Sequence, residues 1–241
     1  MRTLLIRPGA IGDCIRHFPE MEALRTAYTE VWISRPVAPL VLFADRVRAL
    51  ADTGIDLAGL PGLPVPPVLD SFDRIHSWYG TQREDFRAAV AHLPFTFYPA
   101  LPTAPPRGVP RIRLFGPRHG SIILHPFSGS AKKNWPLEHF RELADQLVNV
   151  EWTCGPEERL DGARRFSDLA ELARWISGAR LYIGNDSGIT HLAAAVGTPA
   201  LALFGPTDPA IWCPAGAHVR WTPFAAPAEV ARVAKEMLGV L

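Results

Sequence analysis

Residues 181–205, LYIGNDSGITHLAAAVGTPALALFG, constrain the chain more than any other stretch. LYIGND is a short apolar run ending in a glycine and an acid, the pattern of a buried parallel strand. Asp186-Ser187-Gly188 carries turn and helix N-cap chemistry. ITHLAAAVG continues as an Ala-rich helix closed by Gly197 and Pro199, and ALALFG reads as a second buried strand stopped by Gly205-Pro206. Strand, turn, helix and strand follow with almost no spare residues, so the unit is a βαβ crossover. Its turn lies at the carboxyl end of a strand, where open α/β sheets bind ligands. First-turn N–H groups point into that turn and favour an anion such as a phosphate. Asp186, Ser187 and Gly188 occupy the cap and first turn, with His191 one turn on, on the face of Ser187. Taken alone, an Asp or Ser there is more often a plain cap, and a lone His more often packed than ligating.

The rest of the chain repeats the alternation. RTLLIR (2–7) is a buried strand, PGAIGD (8–13) a turn, and residues 13–27 carry helical spacing interrupted by Pro19. EVWISR (30–35) is a second strand, and VAPLVLFADRVRALA reads as mostly helical after Pro36. Residues 73–80, 83–93 and 96–99 read as strand, helix and short strand. A second series follows: strand 121–126, loop 127–136, helix from Pro136, strand 150–155, helix 166–179, the βαβ unit, strand 219–222 and a closing helix. Alternating β and α implies parallel sheets covered by helices. Residues 99–118 hold four Arg, no acid and many of the 24 prolines. They read as a semi-rigid linker, which divides the chain into residues 1–105, a connection at 106–119, and residues 120–241. The Arg cluster could meet anionic lipid head groups, though such runs are usually solvated.

Composition excludes several classes. A net charge of +1 offers no global field for nucleic acid. Cys14, Cys154 and Cys213 are odd in number and widely spaced, without zinc-site spacing, so they read as buried free thiols in a reducing cytoplasm. No run of apolar residues is long enough for a membrane span. GxGxxG is absent; only Gly9 and Gly12 mark the first turn, which argues against a dinucleotide oxidoreductase. Gly184–Gly188 is not GxSxG, which argues against a serine hydrolase.

Four polar loops follow expected strands. They carry Asp13; Ser128, Ser130 and Lys133; Glu157; and Asp186, Ser187, Gly188 and His191. A lysine, hydroxyls and a helix N-terminus suit a diphosphate, and a carboxylate at the neighbouring strand end suits ribose hydroxyls. A nucleotide on one half and a lone carboxylate, Asp13, on the other suit group transfer from an activated donor.

GAIGDCIRHFPEMEALR, HPFSGSAKKNWPLEHF, CGPEE and YIGNDSGITHLAAAVGTPALALFGPTDP, in this order, resemble the ADP-heptose:lipopolysaccharide heptosyltransferases of glycosyltransferase family 9. The likeness runs nearly end to end and is thin between residues 30 and 118. It implies an α/β fold of GT-B architecture, two Rossmann-like domains facing a central cleft, with a shortened N-terminal domain. It implies an inverting transfer of a sugar, a heptose from ADP-heptose, to a hydroxyl of a lipopolysaccharide-core or related glycan. The alternative is a catalytically degenerate nucleotide-sugar-binding paralogue or accessory protein. By the same likeness Asp13 is the general base and Lys133 the lysine on the donor phosphates. Ser128 and Ser130 offer hydroxyls or amides to phosphate, Glu157 holds the ribose, and Asp186, Ser187, Gly188 and His191 hold the diphosphate and donor sugar. No cofactor or metal is expected. The partners implied are a nucleotide-sugar donor and a lipid-linked or glycan acceptor at the inner membrane face, with no nucleic acid. The expected location is cytoplasmic, with a peripheral position at the inner membrane open.

Overall fold

A computed structural model describes residues 1–102 and 104–240. Two compact units are distinguished, Met1–Thr103 and Ala104–Leu241.

The first unit runs β1 (Arg2–Arg7), α1 (Ile11–Ile15), α2 (Phe18–Ala23), β2 (Tyr28–Ile33), β3 (Arg46–Ala49), β4 (Arg74–Ser77), α3 (Glu84–Ala89) and β5 (Phe95–Phe97). Its five strands are all parallel, in the order β3-β2-β1-β4-β5. The chain therefore winds outward from β1 and returns on the other side at β4, which puts a topological switch point between β1 and β4. Leu4, Ile6, Trp32, Ile75 and Phe86 share one buried cluster.

The second unit runs β6 (Ile122–His125), α4 (Leu137–Ala144), β7 (Val150–Trp152), α5 (Leu169–Ser177), β8 (Leu181–Asn185), α6 (Gly188–Ala195), β9 (Ala200–Phe204), α7 (Pro209–Trp212), β10 (Val219–Pro223) and α8 (Pro227–Leu238). Its five parallel strands lie in the order β10-β9-β8-β6-β7, with the switch point between β6 and β8. All five residues of β8 and of β9 are buried, as their continuous apolar runs require of central parallel strands. Leu124, Trp135, Phe140, Ile183, Leu203 and Val230 belong to the core they cover.

Two expectations need correction. The stretch after Pro36 is not a helix: Arg35–Leu40 is a 3-10 turn and Arg46–Ala49 pairs with β2 from Glu30↔Arg46 to Ile33↔Ala49. Pro36 and Pro39 withhold backbone donors, and the open edge of β2 supplies the partners that turn Arg-Val-Arg-Ala into an edge strand. Residues 13–27 form two short helices rather than one, broken before Pro19.

Residues 106–119 pack on the second unit as an extended segment. Ile112 N–H donates to the Ala195 carbonyl at 2.8 Å, and Gly116 N–H to Ser177 Oγ at 2.9 Å. His119 and Gly120 N–H both donate to the Gly178 carbonyl. The ends of α5 and α6 thus find their C-terminal acceptors filled by this segment. Gly178 makes the approach feasible: a Cβ there would stand 2.1 Å from the Pro117 carbonyl oxygen. Gly178→Ala is expected to lower stability by ~1–3 kcal/mol, as overpacking does, measured by chemical denaturation; an unchanged midpoint would contradict the close approach.

Candidate active site

The loops after β6 and β8 part at the switch point, and the buried side chain of Asn185 joins them. Its Nδ2 donates to the Pro126 carbonyl at 2.8 Å, and its Oδ1 accepts from Trp135 N–H at 2.9 Å. A planar amide supplies both a donor and an acceptor, which satisfies two backbone groups that leave the sheet ladder here. Trp135 is buried, packs edge-on to Phe140 and donates from Nε1 to the Ala225 carbonyl. It is a strut under the loop, as its place before Pro136 suggests.

That strut sets Lys133, two residues earlier, opposite the end of β8. Lys133 closes a 3-10 turn, Ala131–Lys133, and its Nζ lies 3.3 Å from Asp186 Oδ2. The Asp186 side chain is 5% exposed and that of Lys133 28%, so the carboxylate is sunk while the lysine side chain keeps part of its surface open. Thr207, in the loop after β9, donates its hydroxyl to the same Oδ2 at 2.8 Å. Three loops of one sheet edge thus converge on Asp186.

Beside it, Ser187 caps α6 by accepting from Thr190 N–H, and the Thr190 hydroxyl donates to the Asn185 carbonyl at 2.5 Å. Gly188 and Ile189 are half-buried, whereas the residues around them are buried. Their first-turn N–H groups have no acceptor within the helix, so they form an open, partially positive end. His191 follows on the buried face, 6% exposed, with its N–H on the Ser187 carbonyl.

The remaining sites divide. The Ser128 hydroxyl has two acceptors in reach, the Ser130 carbonyl at 2.8 Å and Asn134 Oδ1 at 2.7 Å, so it organises the loop from within. Ser130 opens the 3-10 turn without capping it. Glu157 is exposed beyond β7. Its neighbour Glu158, which sequence reasoning did not single out, turns inward: its Oε2 accepts from Gly155 N–H at 2.5 Å and lies 3.6 Å from His125 Nε2. Burial pushes the Glu158 carboxyl up, but His125 and the Gly155 amide outweigh it and hold it below the usual glutamate range. Asn185 and Thr207 were also missed. An amide ending an otherwise apolar strand is the signal that marks Asn185, because a buried Asn requires partners.

Asp13 lies in the first unit, after β1 and in α1, beside that unit's switch point. Arg7 is buried beneath it, with Nη1 donating to the Pro8 carbonyl at 2.8 Å and Nη2 to the Asp13 carbonyl at 3.1 Å. Burial lowers the Arg7 pKa, while Cys14, Asp13 and Glu20 oppose the shift. Gly9 has φ +124°, and a Cβ there would sit 3.3 Å from Asp13 Cβ, so the turn needs glycine on both counts. His17, one turn on, lies 2.7 Å by Nδ1 from the Asp13 carbonyl and meets Trp78 edge-on. Burial, with Arg7 next, drops its pKa to about 4.

Among the described residues, no group of three or more His, Cys, Asp or Glu is placed to hold a metal ion, and no helix is long and apolar enough to cross a membrane. The sequence profile of glycosyltransferase family 9 (heptosyltransferase) matches residues 111–235. The chain belongs to glycosyltransferase family 9. Within that family, the lipopolysaccharide heptosyltransferase 1 of Escherichia coli K12 is 32% identical over 107 residues, 38% of this chain and 33% of the relative. The aligned stretch therefore spans about a third of that relative's length. Two solved structures share the fold at low identity. The family 9 glycosyl transferase of Veillonella parvula has a TM-score of 0.75 at 17% identity, over 98% of this chain and 97% of that one. The E. coli ADP-heptose lps heptosyltransferase II has a TM-score of 0.71 at 16% identity, over 99% and 98%. The fold of this family 9 chain is accordingly of GT-B type, two Rossmann-like units.

Asn185→Ala strands the Trp135 N–H and the Pro126 carbonyl together. The expected loss is ~2–5 kcal/mol in denaturant unfolding, the sum of two unsatisfied buried groups. His17 makes a pH prediction. Its folded pKa, about 4, is below the unfolded value of 6.5, so the unfolded chain binds the extra proton. Its stabilising share is present above pH 6.5 and is lost as pH falls toward 4. Thermal unfolding across that window is expected to flatten in His17→Gln relative to wild type.

Proposed function

We propose that this chain is an inverting, ADP-sugar-dependent glycosyltransferase. The observation that carries the reading is the meeting of Lys133 and Asp186 beside the open N-terminus of α6, at the switch point of the second unit. A half-exposed ammonium and helix-end amides suit a diphosphate, with Ser128 and Ser130 shaping or contacting its loop and Glu157 taking ribose hydroxyls. The sunk Asp186 aims Lys133, and Ser187, Gly188 and His191 line the same end of the helix. The donor sugar is a heptose in this reading, by analogy with the E. coli relatives, and the acceptor a hydroxyl of a lipopolysaccharide core or related glycan. Asp13 takes the acceptor proton as its oxygen attacks the anomeric carbon from the face opposite the diphosphate. The bond to the phosphate oxygen breaks as the new one forms, and the configuration inverts. Charge developing on the departing ADP falls on Lys133 and the amides, which act as preorganised donors. The residues proposed for the site require no metal ligand. The reaction is placed in the cytoplasm, on an acceptor at the inner membrane face.

Calorimetry with ADP tests the donor half. Wild type should bind, and Lys133→Ala should weaken binding by roughly 10- to 100-fold, the loss of one charge-assisted hydrogen bond. Asp13→Asn should leave ADP affinity intact and lower turnover by about 10²-fold or more. No affinity for ADP, or Lys133→Ala equal to wild type, would sink the reading.

A further inference from the structure

Residues 109–115 alternate strictly along an extended backbone: Val109, Arg111, Arg113 and Phe115 are exposed, and Pro110, Ile112 and Leu114 are buried. Period-2 alternation sends every second side chain the same way, so the outward four form one row roughly 20 Å long. Phe115 is 71% exposed and Val109 45%, values that few side chains of their kind reach in this fold. The row is fixed, not floppy, because the inward residues are pinned through Ile112 N–H on Ala195 and Gly116 N–H on Ser177. No acidic residue occurs from 99 to 118, where four arginines do, and among the described residues no ion pair engages Arg111 or Arg113. Arg174, whose backbone touches Gly116, adds a further exposed cation at the same end.

A cavity of about 310 Å³ opens beside the row, walled by Arg111, Arg113, Phe115, Val196 and His218. It sits at the C-terminal end of α6, whose dipole repels a small anion, so the cavity itself is a poor phosphate pocket. The outward row has a different chemistry. Two unpaired guanidinium groups between an exposed phenyl ring and an isopropyl group combine the cationic and apolar contacts that hold a protein on a negatively charged bilayer surface.

We infer that Val109, Arg111, Arg113 and Phe115 form a membrane-surface contact for anionic phospholipid, with the guanidinium groups on the head-group phosphates and Phe115 in the interfacial layer. The contact stands apart from the donor site and does not depend on the ADP reading.

The test is co-sedimentation of the full chain with phosphatidylglycerol-rich vesicles and with pure phosphatidylcholine vesicles. Wild type should bind the former, barely the latter, and be released by high salt, as screening requires. Arg111→Gln with Arg113→Gln should reduce the partition about 30-fold, from the ~1 kcal/mol expected per basic residue near such a surface. Phe115→Ser should reduce it further and increase the salt sensitivity of what remains. Equal binding to both vesicle types, or a double variant that binds like wild type, overturns the inference. So does release by soluble glycerol phosphate at an ionic strength where sodium chloride leaves binding intact, which would mark a small-anion site. A double variant that melts earlier but keeps wild-type vesicle binding also overturns it, because the arginines would then serve only the α6 terminus.

Discussion

The site rests on one buried amide. Where β6 and β8 end, their paired ladder stops and the two loops diverge, leaving a backbone carbonyl at Pro126 and a backbone N–H at Trp135 in a dry interior. Asn185 satisfies both from a single planar group. The ion pair between Lys133 and Asp186 cannot do this work. One of its partners is more than a quarter exposed, so solvent screens the attraction, and sinking the carboxylate offsets part of what remains. Two unsatisfied buried backbone groups would cost ~2–5 kcal/mol. The loop is therefore held by the amide and Trp135, and the lysine rides on a support already fixed.

This division of labour suits a charged ligand. Asp186 is sunk and receives both the Thr207 hydroxyl and the lysine, so its negative charge is compensated before any anion arrives. Lys133 keeps part of its surface open, and the half-buried first turn of α6 adds amides that carry no mobile counter-charge. The first unit solves a similar problem in the opposite sense. There a buried arginine, Arg7, ties down the turn from below through two carbonyls, and the Asp13 side chain is left half-buried in the first turn of α1.

Much of this was legible in residue order. Buried runs such as LLIR, IILH and ALALF announce central parallel strands, because only a strand covered on both faces tolerates that composition. Ser187 caps α6 on Thr190 as its turn chemistry announces, whereas Asp168, inside the stretch read as helix 166–179, proves to be the cap of a helix that starts only at Leu169, accepting from Glu171. The stretch from Val37 to Ala51 was not legible. Its apolar spacing fits a helix as well as a strand, and the deciding fact is an unpaired edge on β2 that no local pattern reveals. Glu157 and Glu158 are likewise indistinguishable in sequence; burial beside His125 separates them.

Sequence alone determined the alternating α/β architecture, the family likeness and the loops that carry Lys133, Glu157, Asp186 and Asp13. These follow from local propensity and short motifs, which need no partner distant in the chain. Tertiary structure decided which loops meet. The order β10-β9-β8-β6-β7 sets residue 133 against residue 186, turns Asn185 into a clamp and lays residues 109–115 against the ends of two helices. Those outcomes depend on hydrogen bonds between groups dozens of residues apart, and only the folded sheet brings such groups within reach.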